Sequence, residues 1–326
     1  MNNQELTQYI SGIFDPSARK TLGETGGIKS VYIKPDGVCE VTVMIFNKEK
    51  DERAVRIALT KLLKQDLNLP GAIVNIEEFP KERINYLYLG IASGKGGVGK
   101  STVTVNLAKA LNELGIKTAI IDSDVYGASI PFILNIKKTP VMGDENEMMI
   151  PLQGDGIEVI STEFFMPDDK PLMWRGPMLN KMLTYYFNSV RWDDQTKLIL
   201  IDLPPGTGDV AIDINRFAPN SKMIIVTTPN LAAAKIAVKA GVGANQMGNE
   251  VIGVIENMSY YLNPHSQEKD YIFGQGGGIE VASKLDVKLL GAIPINYEEY
   301  QDVVNQEYKM IAQQIIEIME LENVNQ

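Results

Sequence analysis

Ser93-Gly94-Lys95-Gly96-Gly97-Val98-Gly99-Lys100-Ser101-Thr102 fits the pattern G-x-x-x-x-G-K-[ST]. Glycines at this density let successive backbone N–H groups turn inward on an anion. A helix beginning at the end of the loop adds the partial positive charge of its N-terminus. In this pattern Lys100 reaches the β- and γ-phosphates of a nucleotide, and the Ser101 hydroxyl takes Mg²⁺. The expected contacts of ATP are therefore Gly94, Lys95, Gly96, Gly97, Val98, Gly99, Lys100, Ser101 and Thr102. A flexible glycine-rich turn is the plainer reading, but an apolar run precedes the loop and a helical pattern follows it, as a phosphate cradle requires. Lys95 stands directly after the first glycine, at the mouth of the loop. It is poorly placed for phosphates bound to its own chain, yet it could reach those of a facing subunit; a solvated surface lysine is the alternative.

Two acidic strand ends follow. Ile120-Ile121-Asp122-Ser123-Asp124 closes one apolar run, and Leu200-Ile201-Asp202-Leu203-Pro204-Pro205-Gly206-Thr207-Gly208-Asp209 closes another. In an open parallel sheet the C-terminal strand ends converge on the ligand crevice. Carboxylates there can hold Mg²⁺ through water and orient an attacking water toward a γ-phosphate. An aspartate in this position can also simply cap the next helix. Several of them in one chain behind a phosphate loop favour the chemistry.

The elements that must position these residues divide the chain in two. Residues 1–82 read as a small α+β domain. It has a helix over Gln4–Phe14, a hairpin of Ile28–Ile33 and Val38–Phe46 turned by Lys34-Pro35-Asp36-Gly37, a helix over Glu52–Leu67 and a strand over Ala72–Phe79. Val55, Ile57, Ala58, Leu62 and Leu63 form the expected apolar stripe of the second helix. A linker is placed at Pro80-Lys81-Glu82-Arg83. Residues 83–326 read as a P-loop ATPase domain. Its near-continuous apolar strands are Leu87–Ser93, Thr118–Asp122, Lys197–Asp202, Met223–Thr228, Val251–Glu256 and Leu289–Ile293. Helices over Lys100–Leu114, Gly176–Val190, Asp209–Arg216, Leu231–Gly243 and Gly277–Leu285 fall between them. Runs of this kind, alternating with helices, predict an α/β fold with a doubly wound, mostly parallel sheet buried on both faces.

Composition narrows the partners. The 326 residues carry a formal net charge of −10, a field that opposes non-specific binding of nucleic acid or anionic lipid. The N-terminal MNNQELTQYI lacks the basic and apolar regions of a secretory signal, and no run approaches a membrane span. The single cysteine, Cys39, excludes an internal disulfide framework and fits a reducing, cytoplasmic setting. Val303–Leu321 is amphipathic, with Val304, Tyr308, Ile311, Ile315 and Met319 on one side, but its flanks are acidic. It is expected to pack on the core rather than on a bilayer.

With these residues in view, the chain resembles the Mrp/ApbC family of iron–sulfur cluster carrier ATPases, within the deviant-Walker-A group of MinD, ParA and the nitrogenase iron protein. The resemblance rests on Gly94–Thr102, on Asp122-Ser123-Asp124-Val125-Tyr126-Gly127-Ala128-Ser129-Ile130-Pro131 and on Trp174-Arg175-Gly176-Pro177-Met178. It continues through Asp202–Asp209, Val226-Thr227-Thr228-Pro229, Glu256-Asn257-Met258-Ser259 and Ile272-Phe273-Gly274. It implies a homodimer in which Lys95 crosses to the partner's ATP. It also implies that Asp124 positions the hydrolytic water, that Asp122 and Asp202 support the Mg²⁺ shell with Ser101, and that Gly206–Asp209 senses the γ-phosphate. Asn257 matches the adenine-contacting asparagine. Apo-protein clients are the partners the family role implies.

One segment departs from the family. Where its members carry a C-x-x-C pair that holds a cluster between two chains, this chain reads Tyr260-Tyr261-Leu262-Asn263-Pro264-His265-Ser266, which puts Asn263 and Ser266 at the cysteine positions. Iron–sulfur clusters need thiolates, for which an amide and a hydroxyl do not substitute. Cys39 lies in the other domain and reads as a core residue, and His265, the only histidine, as an exposed loop residue. Two functions stay open: an ATP-dependent iron–sulfur carrier or assembly factor, and a nucleotide-gated regulatory ATPase that has lost cluster binding and whose ATP-bound dimer engages regulatory protein partners or a specific DNA site.

Overall fold

The computed structural model describes residues 2–78, 86–125, 127–145, 148–166, 176–206, 215–219, 221–295 and 300–321. The expected linker, Trp174-Arg175, the Thr207–Asp209 part of the second acidic turn and most of the helix expected over Asp209–Arg216 lie outside them. Contacts divide the chain into two compact units, Met1–Asn85 and Tyr86–Gln326.

The first unit holds α1 (Asn3–Ser11), β1 (Phe14–Asp15), β2 (Lys20–Thr21), α2 (Leu22–Thr25), β3 (Ile28–Ile33), β4 (Val38–Ile45), α3 (Lys48–Lys61) and β5 (Gly71–Glu78). β4 pairs antiparallel with β3 and parallel with β5. Its alternation sends Cys39, Val41, Val43 and Ile45 into the core, so Cys39 is the core residue expected. The first helix is shorter than expected: Gly12 closes it, and Phe14 already pairs with Thr21. The second starts earlier because the Asn47 side chain caps it by accepting from Lys50 N. Its buried apolar stripe is Val55 and Leu59, four residues apart, continued by Leu63 in the π-helical turn Leu62–Asp66 that follows. Ile57 is 59% exposed, against expectation, because it stands two positions round the helix from Val55.

The second unit is built on an eight-stranded sheet, two strands more than expected. Its elements are β6 (Leu87–Ser93), α4 (Lys100–Glu113), β7 (Thr118–Asp122), α5 (Ile130–Ile133), β8 (Leu152–Gly154), β9 (Ile157–Ser161), α6 (Gly176–Asn188), β10 (Leu198–Asp202), β11 (Lys222–Thr227), α7 (Leu231–Gln246), β12 (Val251–Glu256), a small antiparallel pair of β13 (Tyr261–Leu262) and β14 (Lys269–Asp270), α8 (Gly277–Leu285), β15 (Lys288–Ala292) and α9 (Gln301–Ile318). The strand order is β15-β12-β11-β6-β10-β7-β9-β8, and only the β8–β9 pair in it is antiparallel. This is the doubly wound α/β sheet, with helices covering both faces.

One helical layer carries α4 and α9 in a shared core with Leu89, Ile91, Leu198 and Leu200. α9 sends Val304, Tyr308, Ile311, Ala312 and Ile315 inward, so the apolar side of this C-terminal helix is used by the core. Its Lys309 pairs with Glu113 of α4 at 2.8 Å. No helix of the described residues is long and apolar enough to cross a membrane.

Candidate nucleotide site

The phosphate loop leaves the C-terminal end of β6 near the middle of the sheet, and α4 begins at Lys100. Two glycines show why the loop needs them. Gly99, at φ +80°, is the residue before the helix, and a β-carbon there would stand 2.2 Å from Asn257 Nδ2. At Gly94 a β-carbon would meet the α7 backbone at 2.5 Å, so the loop starts in contact with that helix.

Register brings the carboxylates together. Asp122 ends β7 and is the direct partner of Asp202, which ends β10; on the other side Asp122 partners Ser161, which ends β9. All three side chains are buried. Asp202 Oδ2 accepts from Ser101 Oγ at 2.7 Å and pairs with Lys100 Nζ at 2.7 Å, while its Oδ1 accepts from Thr104 Oγ1 at 2.8 Å. Asp124 Oδ2 stands 3.8 Å from the same ammonium. Asp122 accepts from Ser161 Oγ at 3.0 Å and from Asp124 N at 3.3 Å. Two carboxylates thus flank one buried lysine, with Asp122 beside Asp202 on the neighbouring strand. Burial above all, together with the neighbouring Asp202 charge, pushes Asp122 up to about 8. Burial also raises Asp124, against the pull of Lys100.

The structure brings Lys100, Ser101, Asp122, Asp124 and Asp202 into one cluster and puts Asn257 on the loop itself, its Nδ2 donating to Val98 O at 2.9 Å. Gly206 N donates to Ser93 O at 2.8 Å, tying the second acidic turn to the loop. Lys95 is exposed, and among the described residues no carboxylate lies within ion-pair distance of it. Ser161 and Thr104, which fix the two buried aspartates, had no sequence signal of their own. Ser101 and Asp202, hydrogen-bonded to one another, are hard oxygen donors of the kind Mg²⁺ takes, and the cluster's excess of negative charge fits a divalent cation.

The family profile of the ParA group described as NUBPL iron-transfer P-loop NTPase matches residues 86–322. The chain belongs to this family. Its second unit is therefore an iron-transfer-type P-loop NTPase domain. An iron–sulfur cluster carrier protein from Bacillus subtilis (strain 168) is 37% identical over 332 residues, covering 92% of this chain and 90% of its own length. A nucleotide-binding protein from Archaeoglobus fulgidus, solved in complex with ADP, is 32% identical with a TM-score of 0.56, covering 71% of this chain and 90% of its own. The septum site-determining protein MinD from Pyrococcus horikoshii, complexed with Mg-ADP, shares the fold at 20% identity and a TM-score of 0.52, over 72% of this chain and 97% of its own.

In this iron-transfer NTPase, the segment that the Mrp/ApbC resemblance singles out for cargo is the tip of the β13–β14 hairpin. Asn263 Oδ1 accepts from His265 N at 3.0 Å and from Ser266 N at 3.2 Å, and Ser266 Oγ accepts from Glu268 N at 3.3 Å. Both side chains are spent on closing the turn. His265 is exposed. No group of three or more histidine, cysteine, aspartate or glutamate side chains among the described residues is arranged to hold a metal, and Cys39 is fully buried. The residues present do not fit a thiolate-held cluster at this hairpin.

Proposed function

We propose that the chain is a cytoplasmic Mg-ATP-dependent ATPase that works as a homodimer in iron–sulfur cluster assembly. The observation that carries this reading is the convergence of Lys100, Ser101 and Asp202 at the phosphate loop of a chain of this family. Lys100, drawn by Asp202 and Asp124, exchanges these partners for the β- and γ-phosphates, and the backbone N–H groups of Gly94–Thr102 hold the remaining phosphate oxygens. Bound Mg²⁺ supplies charge neutralisation at those oxygens. Asp202 and Ser101 would hold it, with Asp122 behind them. Asp124, largely shielded and accepting from Gly127 N at 3.2 Å, orients the attacking water in this reading. Lys95 serves the facing subunit, and Asn257 contacts the adenine. The acidic surface keeps generalised nucleic acid away.

Lys100→Ala is expected to abolish ATP uptake in calorimetry with Mg²⁺ present. Lys95→Ala should leave uptake within a few-fold while lowering turnover and dimer formation; normal turnover in that variant would remove the trans role. A second reading, a regulatory ATPase without cluster cargo, is favoured by the closed turn at Asn263. Iron and acid-labile sulfide analysis of freshly isolated protein separates the two: stoichiometric iron and sulfide support the carrier, and an iron-free, ATP-responsive dimer supports the regulator.

A further inference from the structure

We propose that Glu256 is a positioning residue for the nucleotide base, its buried carboxylate fixing the turn that holds Asn257 against the phosphate loop. The proposal rests on the reading of Asn257 as the adenine contact. Glu256 closes β12 and is 6% exposed, yet among the described residues it has no cationic partner within ion-pair distance. Its charge is met in two other ways. Oε1 accepts from Ser259 Oγ at 2.5 Å, bridging the turn Glu256-Asn257-Met258-Ser259. Oε2 accepts from Gly278 N at 2.6 Å, in the first turn of α8, whose residue before the helix, Gly276, provides no side-chain cap. A carboxylate there also faces the positive end of the helix dipole. The approach is close: a β-carbon on Gly278 would stand 2.8 Å from Glu256 Cβ.

The turn needs such a clamp. Met258 sits at φ +54°, a left-handed conformation that a side-chain-bearing residue adopts at a cost. Backbone bonds hold the residues around it, Ile293 N to Glu256 O at 2.8 Å, Asn257 N to Thr227 O at 2.9 Å and Ser259 N to Ile293 O at 2.8 Å, and none of them involves Met258 itself. The Asn257 amide then reaches Val98 O, on the loop that binds phosphate. Release of the carboxylate frees Met258 to relax and takes the amide off the loop. The carboxylate therefore governs ATP affinity, through Asn257, and not the hydrolytic step, whose residues lie at the ends of β7 and β10.

The test uses the full chain, with ATP binding by calorimetry and steady-state hydrolysis. Glu256→Ala should raise Kd and KM for ATP about tenfold, the scale of one buried acceptor lost, with kcat kept within about twofold. Glu256→Gln, which keeps an acceptor for Gly278, should return to within about threefold of the parent. The double variant Glu256→Ala/Asn257→Ala should bind no worse than Asn257→Ala alone. A Glu256→Ala protein that melts earlier but binds ATP with an unchanged Kd would show only a helix cap and overturn the proposal. So would additive losses in the double variant. If Glu256→Ala does not fold, Ser259→Ala is read the same way: a raised Kd with kcat kept supports the clamp, and an unchanged Kd overturns it. A parent chain that takes up no ATP at all strikes the proposed function itself, which distinguishes the two failures.

Discussion

Asp122 is the residue whose chemistry depends most on its surroundings. It is fully buried between Ser161 and Asp202, and its carboxyl is held at about 8 rather than the ordinary 3.8. A carboxyl raised by folding favours the folded chain while protonated; that contribution is complete in acid and is lost as pH climbs through about 8. Asp122→Asn removes the dependence while keeping the shape. Its melting temperature in the absence of nucleotide should therefore exceed the parent's by a margin that widens from about pH 4 and levels off above pH 8. A margin independent of pH would show that the carboxyl is not the group being titrated. The same substitution should raise the Mg²⁺ concentration needed for half-maximal hydrolysis. Asp122, Asp202 and the loop were legible as motifs, because phosphate binding restricts both type and spacing. Ser161 and Thr104 were not, and Glu256 stood inside the Glu256-Asn257-Met258-Ser259 motif with no role of its own. A hydroxyl or a carboxylate that supports another side chain carries no spacing rule, and β9, which delivers Ser161, reads Ile157-Glu158-Val159-Ile160-Ser161, too short and too interrupted to stand out.

Elements were legible where periodicity and burial agree. The six expected strands and α4, α7, α8 and α9 follow the apolar pattern closely, whereas β8 and β9 depend on a tertiary fact, the vacant flank of β7. Asp155 and Gly156, both at positive φ, turn the chain between them, and the Glu158 within β9 is accommodated because its Oε2 accepts from Asp193 N at 2.9 Å. The β13–β14 hairpin shows the converse: the resemblance singles out a cargo segment, and the structure shows Asn263 and Ser266 closing its turn. Lys269 lies 4.1 Å from the Tyr260 ring centroid and Gln267 Nε2 donates to the Tyr300 hydroxyl at 3.3 Å, so the hairpin is held in place independently of its tip. Asn263→Cys/Ser266→Cys should therefore keep the hairpin while supplying two thiolates per chain. After anaerobic reconstitution the double variant is expected to take up more iron and sulfide than the parent, with the visible absorbance of thiolate-bound iron. Equal uptake by parent and variant would place the cargo elsewhere in the chain.

At the scale of the whole molecule, each unit has hydrophobic packing of its own: one cluster around Val41, Val43 and Leu59 in the first, and three against the eight-stranded sheet in the second. Every described residue assigned to ATP, to Mg²⁺ or to the base belongs to the second. The boundary was expected at residues 82/83 from the polar, proline-bearing run there, close to the Asn85/Tyr86 division of contacts. Ligand binding stabilises only the structure that holds the ligand, by about 2.7 kcal/mol at a hundred times Kd. For a domain of this size that corresponds to a rise of roughly 5–10 °C. Differential scanning calorimetry of the full chain should thus resolve two transitions, with Mg-ATP moving one and leaving the other in place. Lys100→Ala should cancel the shift without altering the unmoved transition, because the first unit's core contains no group that the nucleotide touches. A single transition that moves as a whole would mean that the two units unfold as one cooperative body, and that nucleotide at the phosphate loop is felt by the N-terminal unit.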